Sequence, residues 1–177
     1  MELDGRAPKE LWFATAAGAH GNRQDRFFAL VDGQPVEFLS VGTDEGELEV
    51  KDLNGDAQPE IAGTASIWFD GQANDFTRPL VLGRRAGRWQ DITTEFPQRI
   101  QRHIRDWQHA EAQSSYCAPA HALNIYGLSV LVKDARAGER YVKEHCDSTY
   151  ETWFRRNHGR IRTVALHPPF DTKLRTR

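Results

Sequence analysis

The sequence predicts an α+β fold, in which an antiparallel β-sheet or partial sandwich is followed by a C-terminal helical segment packed on it. Short apolar runs separated by glycine turns, such as Asp32-Gly33 and Ala86-Gly87, fill residues 1–93. From residue 94 onward, apolar residues recur at spacings of three and four, which is the helical period. We therefore divide the chain into a β-rich part, residues 1–93, and a helical part, residues 94–177, which together are expected to form one compact unit.

The individual elements follow from these patterns. Seven strands are predicted at Leu11–Thr15, Arg26–Val31, Val36–Val41, Glu47–Val50, Ile61–Phe69, Arg78–Leu82 and Arg88–Ile92. The first helix is expected to begin near Pro97 and to be capped by Thr94, with an apolar side that includes Ile100, Ile104, Trp107 and Glu111. Three more are predicted at Pro119–Lys133, at Gly138–Glu144, and after a capping box formed by Ser148 and Glu151.

The stretch Asp52–Glu60 is the most informative part of the chain. It places oxygen-bearing side chains at Asp52, Asn54, Asp56 and Glu60. Calcium takes about six to eight oxygen ligands at flexible geometry, so these side chains and a backbone carbonyl near Gln58 predict a Ca²⁺ site. The alternative is a turn in which the Asp and Asn side chains bind their own backbone and Glu60 is solvated.

A family resemblance enters at the same residues. The segment VKDLNGDAQPEIAG resembles the Asp-x-Asp-x-Asp-Gly-x-x-Glu calcium loop of FG-GAP or VCBS-type repeats, which occur in integrin alpha propellers and many exported bacterial proteins. The resemblance implies calcium ligation by these loop residues and a periplasmic or secreted location. Family loops usually have glycine at the sixth position, where this chain has Ala57. If that position needs a positive φ, a residue other than glycine costs about 1–2 kcal/mol.

Acidic residues are concentrated in the β-rich part of the chain. Residues 1–93 hold nine Lys/Arg against sixteen Asp/Glu, a net charge of −7, whereas residues 94–177 hold fourteen against nine, a net charge of +5. Four of these acids are expected on the exposed face and turn of one strand: Asp44, Glu45, Glu47 and Glu49. Because complementary fields orient association, they predict a surface that binds a cationic protein. The alternative is an acidic surface that only keeps the protein soluble.

These observations and the resemblance together predict a non-enzymatic exported module that binds another protein. Its concrete form would be an envelope inhibitor or immunity protein that blocks a peptidoglycan hydrolase, since lysozyme-like hydrolases are usually cationic. The sequence pI of about 6.4 argues against a nucleic-acid-binding surface. The longest apolar run, Leu128–Val132, is far shorter than the ~20 residues that a transmembrane helix requires.

The two cysteines, Cys117 and Cys146, are not spaced as a metal or redox motif. Each lies at the edge of a helical segment, where a disulfide between neighbouring helices is geometrically reasonable. Two buried free thiols are the alternative, because the sequence alone does not fix the redox compartment. The resemblance to exported proteins favours the disulfide.

A hydrolase is the competing functional hypothesis. It would use His20, which lies in a glycine-rich turn, or His103 and His109 on the first predicted helix. A cleft that joins these histidines to other titratable groups would favour this hypothesis. Otherwise His20 is a turn residue, and the other two belong to the solvated face of an amphipathic helix.

Overall fold

The structure is a computed structural model that describes residues 10–17, 22–44, 48–70, 74–86, 88–112 and 119–167. The strands are β1 (Leu11–Ala17), β2 (Asn22–Val31), β3 (Gln34–Asp44), β4 (Glu49–Lys51), β5 (Glu60–Asp70), β6 (Asn74–Arg85) and β7 (Arg88–Asp91). A 3₁₀ turn, Thr93–Glu95, precedes the helices α1 (Pro97–Ala112), α2 (Pro119–Leu131), α3 (Ala135–His145) and α4 (Ser148–Leu166). Strands followed by helices confirm the predicted α+β class.

The strands form two antiparallel sheets. One has the order β1-β2-β3 and the other the order β4-β5-β6-β7. Neighbours in the sheets are also neighbours in sequence, as expected for runs joined by tight glycine turns. The register between β2 and β3 shifts between Phe27 and Phe28, because Phe27 pairs with Leu39 whereas Phe28 pairs with Glu37. Phe38 is therefore the extra residue of a β-bulge.

Both sheets contribute to one apolar core, which makes this part of the chain a partial sandwich. Its buried members are Phe27, Leu39, Val41, Leu48, Ile61, Ala65, Leu80, Leu82 and Trp89. Within the first sheet, Trp12 stacks on Phe27 with centroids 5.5 Å apart, and the ring of the bulged Phe38 lies 6.4 Å from that of Phe27. Phe38 also connects the two sheets, because its ring lies 6.4 Å from that of Trp89. Each buried side chain of this size contributes roughly 1.5–3 kcal/mol to the free energy of unfolding.

The chain divides into two compact units. The described residues of the first lie within Met1–Ala65 and Leu80–Thr93, and those of the second within Ser66–Pro79 and Thr94–Pro169. One boundary between the two units therefore lies between residues 93 and 94, where the sequence pattern changes from strand to helix. The end of β5 and the start of β6 cluster with the helices, which the pattern does not indicate.

Within the second unit, α2 is buried along almost its whole length, from Ala122 to Leu131. Gly127 is required there, since a Cβ atom at this position would lie 2.4 Å from the ring of Phe76. Asn124 accepts a hydrogen bond from the Thr77 amide at 2.6 Å. Arg78, the largest fully buried side chain, donates to the Ala165 carbonyl at 3.2 Å. Strand β6 is thus attached to α2 and α4 by polar as well as apolar contacts.

The helix starts differ from two sequence predictions. The N-cap of α4 is Asp147, whose carboxylate accepts from the Tyr150 amide at 2.9 Å, so the predicted Ser148–Glu151 capping box is wrong. Ser148 is already inside the helix, because Asp147, an equally good capping residue one position earlier, takes the cap position. Thr94 lies within the 3₁₀ turn rather than capping α1. The predicted buried side of α1 is confirmed for Ile100, Ile104 and Glu111.

Candidate functional site

The loop between β4 and β5 is held by hydrogen bonds from its backbone to its acidic side chains. Asp52 Oδ1 accepts from the Gly55 amide at 2.7 Å, and its Oδ2 accepts from the Ala57 amide at 3.0 Å. Asp56 Oδ1 accepts from the Gln58 amide at 2.8 Å. The residues between the two strands therefore form successive Asx turns, as the simpler interpretation of the sequence predicts.

Glu60 departs from that simpler interpretation, because it is buried rather than solvated. Only 2% of the residue is exposed. Its Oε2 accepts from the Leu53 amide at 2.8 Å, and its Oε1 accepts from Asn54 Nδ2 at 3.0 Å. Asn54 Nδ2 also donates to Asp56 Oδ2 at 3.1 Å. The Asn54 amide therefore lies between two carboxylates, which converge on it from Asp56 and from Glu60.

Two loop residues have positive φ. Gly55 has φ of 80° and Ala57 has φ of 62°. The sixth loop position therefore has the left-handed conformation that explains its usual glycine, and Ala57 adopts it at a cost of about 1–2 kcal/mol. The alanine does not prevent the loop from closing, because the Ala57 amide still reaches Asp52.

The charge of Asp52 is fixed by its surroundings. Desolvation, the largest single influence, raises the pKa of Asp52. The hydrogen bonds from the amides of Gly55, Ala57, Asp56 and Asn54 together lower this pKa by more than desolvation raises it. The net pKa lies below the ordinary value of 3.8. The Asp52 carboxylate is therefore ionised near neutral pH.

The donor set of this loop fits a hard cation chemically, since carboxylate and amide oxygens are the ligands that calcium prefers. Asp52, Asn54, Asp56, Glu60 and a carbonyl near Gln58 would hold the ion. Across the described ranges, however, no group of three or more His, Cys, Asp or Glu side chains is arranged to hold a metal. Here the loop oxygens bind amide hydrogens instead, so an ion would have to displace the Asn54 amide from Asp56 Oδ2 and Glu60 Oε1.

The predicted acidic surface is only partly described. Asp44 is the last residue of β3, where it pairs with Asn22 of β2. Glu49 begins β4, pairs with Ala62 and is exposed. Glu45 and Glu47 lie outside the described residues. The structure therefore places Asp44 and Glu49 on strands of different sheets of the same unit.

The histidines of the enzyme hypothesis do not come together in the described part of the chain. His20 lies outside it. His103 is half-buried on α1, and burial lowers its pKa below the ordinary 6.5. The negative charge of Asp106 partly offsets this decrease, whereas the positive charges of Arg99 and Arg102 lower the pKa further. His109 is exposed in the last turn of the same helix.

A polar groove of about 260 Å³ lies in the helical unit. Its lining residues come from α1, α2, α3 and the turn between α2 and α3: Gln101, Ile104, Arg105, Gln108, Ile125, Ser129, Val132, Asp134, Ala137, Arg140, Tyr141 and Glu144. Neither His103 nor His109 is among them, so this groove does not join the histidines to other titratable groups. Sequence reasoning does not find the groove, because helical periodicity gives the faces of single helices and not their mutual arrangement.

The predicted disulfide is described at one of its two cysteines. Cys146 lies at the C-cap of α3, where its amide donates to the Val142 carbonyl, and it is not a free thiol. Cys117 lies outside the described residues, so the pairing stays a prediction.

No described helix is long and apolar enough to cross a membrane.

No protein-family model, curated protein or solved structure matches this chain. The resemblance to FG-GAP and VCBS-type repeats therefore rests on the sequence pattern itself.

Proposed function

We propose that this protein is a non-enzymatic, exported protein-binding module whose Asp52–Glu60 loop is stabilised by a calcium ion. The observation that supports it is the convergence of the Asp56 and Glu60 carboxylates on one amide nitrogen of Asn54. A purely structural turn needs its Asx side chains near its own backbone, but it does not need a buried glutamate directed back at them. A bound divalent cation, in contrast, is coordinated by several carboxylates, and Glu60 supplies a second one beside Asp56.

In the proposed calcium-bound loop, the ion takes the place of the Asn54 amide hydrogens between the two carboxylates. It offsets two of the three negative charges of Asp52, Asp56 and Glu60, and it joins the end of β4 to the start of β5. Binding to the folded state alone raises the free energy of unfolding, by about 2.7 kcal/mol at a hundredfold excess of calcium over the dissociation constant. The loop is then rigid enough to present the neighbouring acidic strand in one conformation.

Asn54→Asp separates the calcium-bound loop from a purely structural turn. The substitution replaces a bridging NH₂ group by a third converging carboxylate, so the variant is expected to be less stable than the wild type in chelator. In calcium it should gain more thermal stability than the wild type, because ligand charge strengthens binding. The matched control is Asn157→Asp on α4, where the side chain donates only to the Trp153 carbonyl. Equal destabilisation of Asn54→Asp with and without calcium would contradict calcium binding.

The proposed partner is a cationic secreted protein, and specifically a peptidoglycan hydrolase that this protein inhibits. The net charge of −7 on residues 1–93 supports it, as does the exposure of Glu49 on β4. Attraction between such surfaces accelerates association and weakens with salt, since the Debye length is about 8 Å at physiological ionic strength.

The test measures inhibition and association rate with a purified cationic lysozyme-type hydrolase at several salt concentrations. Glu47→Lys combined with Glu49→Lys is expected to slow association and reduce inhibition at low salt. Glu139→Lys combined with Glu144→Lys on α3 makes the same charge change at exposed positions of the other unit and should have little effect. If both double variants bind like the wild type at low salt, the proposed acidic surface is not the interface.

A further inference from the structure

The loop between β4 and β5 contains an asparagine followed directly by a glycine, at Asn54 and Gly55. This is the only Asn-Gly pair in the sequence. Both residues are exposed. Gly55 has φ of 80°, and apart from its chain neighbours no atom of the described residues lies within 4 Å of the position that a Cβ atom would take. Water therefore reaches the Asn54–Gly55 peptide from the side that a side chain would otherwise cover.

An asparagine before glycine undergoes deamidation, a reaction that needs no enzyme, because glycine has no Cβ atom to hinder close approach. The glycine nitrogen attacks the asparagine Cγ. A bond from this nitrogen to Cγ forms, the bond from Cγ to Nδ2 breaks, and Nδ2 leaves as ammonia with the proton that the backbone nitrogen gives up. Water then opens the resulting succinimide ring, at the side-chain carbonyl to give aspartate or at the backbone carbonyl to give isoaspartate. The net change is the uptake of water and the loss of ammonia, so no oxidant, reductant or cofactor is needed.

The hydrogen bonds of this loop polarise both reacting groups. Asn54 Oδ1 accepts from the Asp56 amide at 2.9 Å, which closes an Asx turn around the Gly55 peptide. This donor also lies at the oxygen on which negative charge develops when Cγ is attacked. The Gly55 amide donates to Asp52 Oδ1 at 2.7 Å, and a negatively charged acceptor increases the electron density on the attacking nitrogen. Both bonds therefore favour attack of the Gly55 nitrogen on Asn54 Cγ.

We propose that Asn54 is a site of spontaneous deamidation, and that its conversion to aspartate changes this loop from a hydrogen-bonded turn into a set of converging carboxylates. In the unmodified loop, Asn54 Nδ2 donates to Asp56 Oδ2 at 3.1 Å and to Glu60 Oε1 at 3.0 Å. An aspartate has an oxygen in place of this nitrogen, so both hydrogen bonds are lost and the three carboxylates repel one another. The deamidated loop is therefore less stable unless a cation lies between them.

The consequence for cation binding rests on the proposed calcium site. Conversion to aspartate adds one negatively charged ligand to that site without lengthening the main chain, and the affinity of a calcium loop increases with the charge of its ligands. Isoaspartate, in contrast, adds a methylene group to the main chain between Asn54 and Gly55, which removes the geometry of the Asx turn. Of the two products, the aspartate is therefore the one that gains affinity for calcium.

The first test follows deamidation of the wild-type protein over time by peptide mapping, in a calcium chelator at mildly alkaline pH. Asn54 should convert to a mixture of aspartate and isoaspartate. Asn157 is the internal control, because it precedes His158 inside α4, where backbone amides are committed to helical hydrogen bonds. Asn54→Gln is the control variant, since the longer side chain closes its ring far more slowly. Conversion of Asn54 no faster than that of Asn157 would overturn the proposal.

A second test concerns the polarisation of the Gly55 amide. Asp52→Asn keeps an oxygen that accepts a hydrogen bond from this amide but removes its negative charge. Deamidation of Asn54 in this variant should be several-fold slower than in the wild type. An equal or faster rate would mean that the hydrogen bond to Asp52 does not promote the reaction, and it would overturn the role assigned to that bond.

The third test is calcium titration calorimetry of the wild type and of Asn54→Asp, which reproduces the aspartate product. A dissociation constant several-fold lower for the variant supports the gain in affinity, and an equal or higher one would overturn it. Deamidation is measured in chelator, so its failure leaves the proposed calcium site untouched. Absence of calcium binding by both proteins would contradict the proposed function but not the modification of Asn54.

Discussion

Ala57→Gly should stabilise this protein, although replacing alanine by glycine usually does the opposite. Ala57 has φ of 62°, a conformation that costs a residue with a Cβ atom about 1–2 kcal/mol and costs glycine nothing. Glycine loses more conformational entropy on folding, which offsets about 0.5–1 kcal/mol of that gain. The expected net gain is therefore on the order of 0.5–1 kcal/mol, or roughly 1–4 °C in melting temperature.

Thermal and urea unfolding in the presence of a calcium chelator measure this gain without a contribution from ion binding. The matched control is Ala110→Gly, an exposed position inside α1, where the same substitution should cost roughly 0.8–1 kcal/mol. Opposite signs for the two substitutions support the left-handed geometry at Ala57. Destabilisation of similar size by both would refute it, because Ala57 would then lack the positive φ that explains the glycine usual at this loop position.

Three further predictions concern the helical unit. Gly127→Ala should cost about 1–3 kcal/mol by chemical denaturation, because the added methyl would lie 2.4 Å from the Phe76 ring; a neutral effect would mean that this contact is loose. Reduction should lower the melting temperature if Cys146 is bonded to Cys117, by the equivalent of roughly 3–4 kcal/mol; two alkylatable thiols in unreduced protein from its native compartment would contradict this. Burial lowers the pKa of His103, so its contribution to stability is present above pH 6.5 and lost as the pH falls. The melting temperature of a His103→Gln variant should therefore fall less steeply below pH 6.5 than that of the wild type; equally steep curves would contradict this assignment.

The elements could be predicted from the sequence because each depends on local periodicity and turn chemistry. The strand runs around Phe27, Leu39 and Ile61 have their apolar residues in the core, and the α1 stripe extends to Glu111 as its spacing predicts. The start of α4 is set by Asp147 instead of Ser148, since two adjacent good capping residues leave the choice to local geometry. Other boundaries differ by more: β2 begins at Asn22, four residues before the predicted start, and α3 begins at Ala135, three residues before the predicted Gly138.

The site could be predicted only in part, since its details depend on side-chain conformation. Spacing identifies Asp52, Asn54, Asp56 and Glu60 as one group, but it does not show that Glu60 is buried or that Asn54 Nδ2 contacts both carboxylates. Glutamate is mostly exposed in proteins, so a sequence pattern assigns it to the surface.

The central claim is that the Asp52–Glu60 loop binds calcium, and titration calorimetry combined with thermal unfolding tests it most directly. The account predicts uptake of one Ca²⁺ per chain at submillimolar to millimolar concentration and a rise in melting temperature over the chelated protein. Asp56→Ala should abolish both effects, whereas Asp106→Ala, which removes an exposed carboxylate on α1, should leave both unchanged. No heat of binding at millimolar calcium, together with an unchanged melting temperature, would contradict the account.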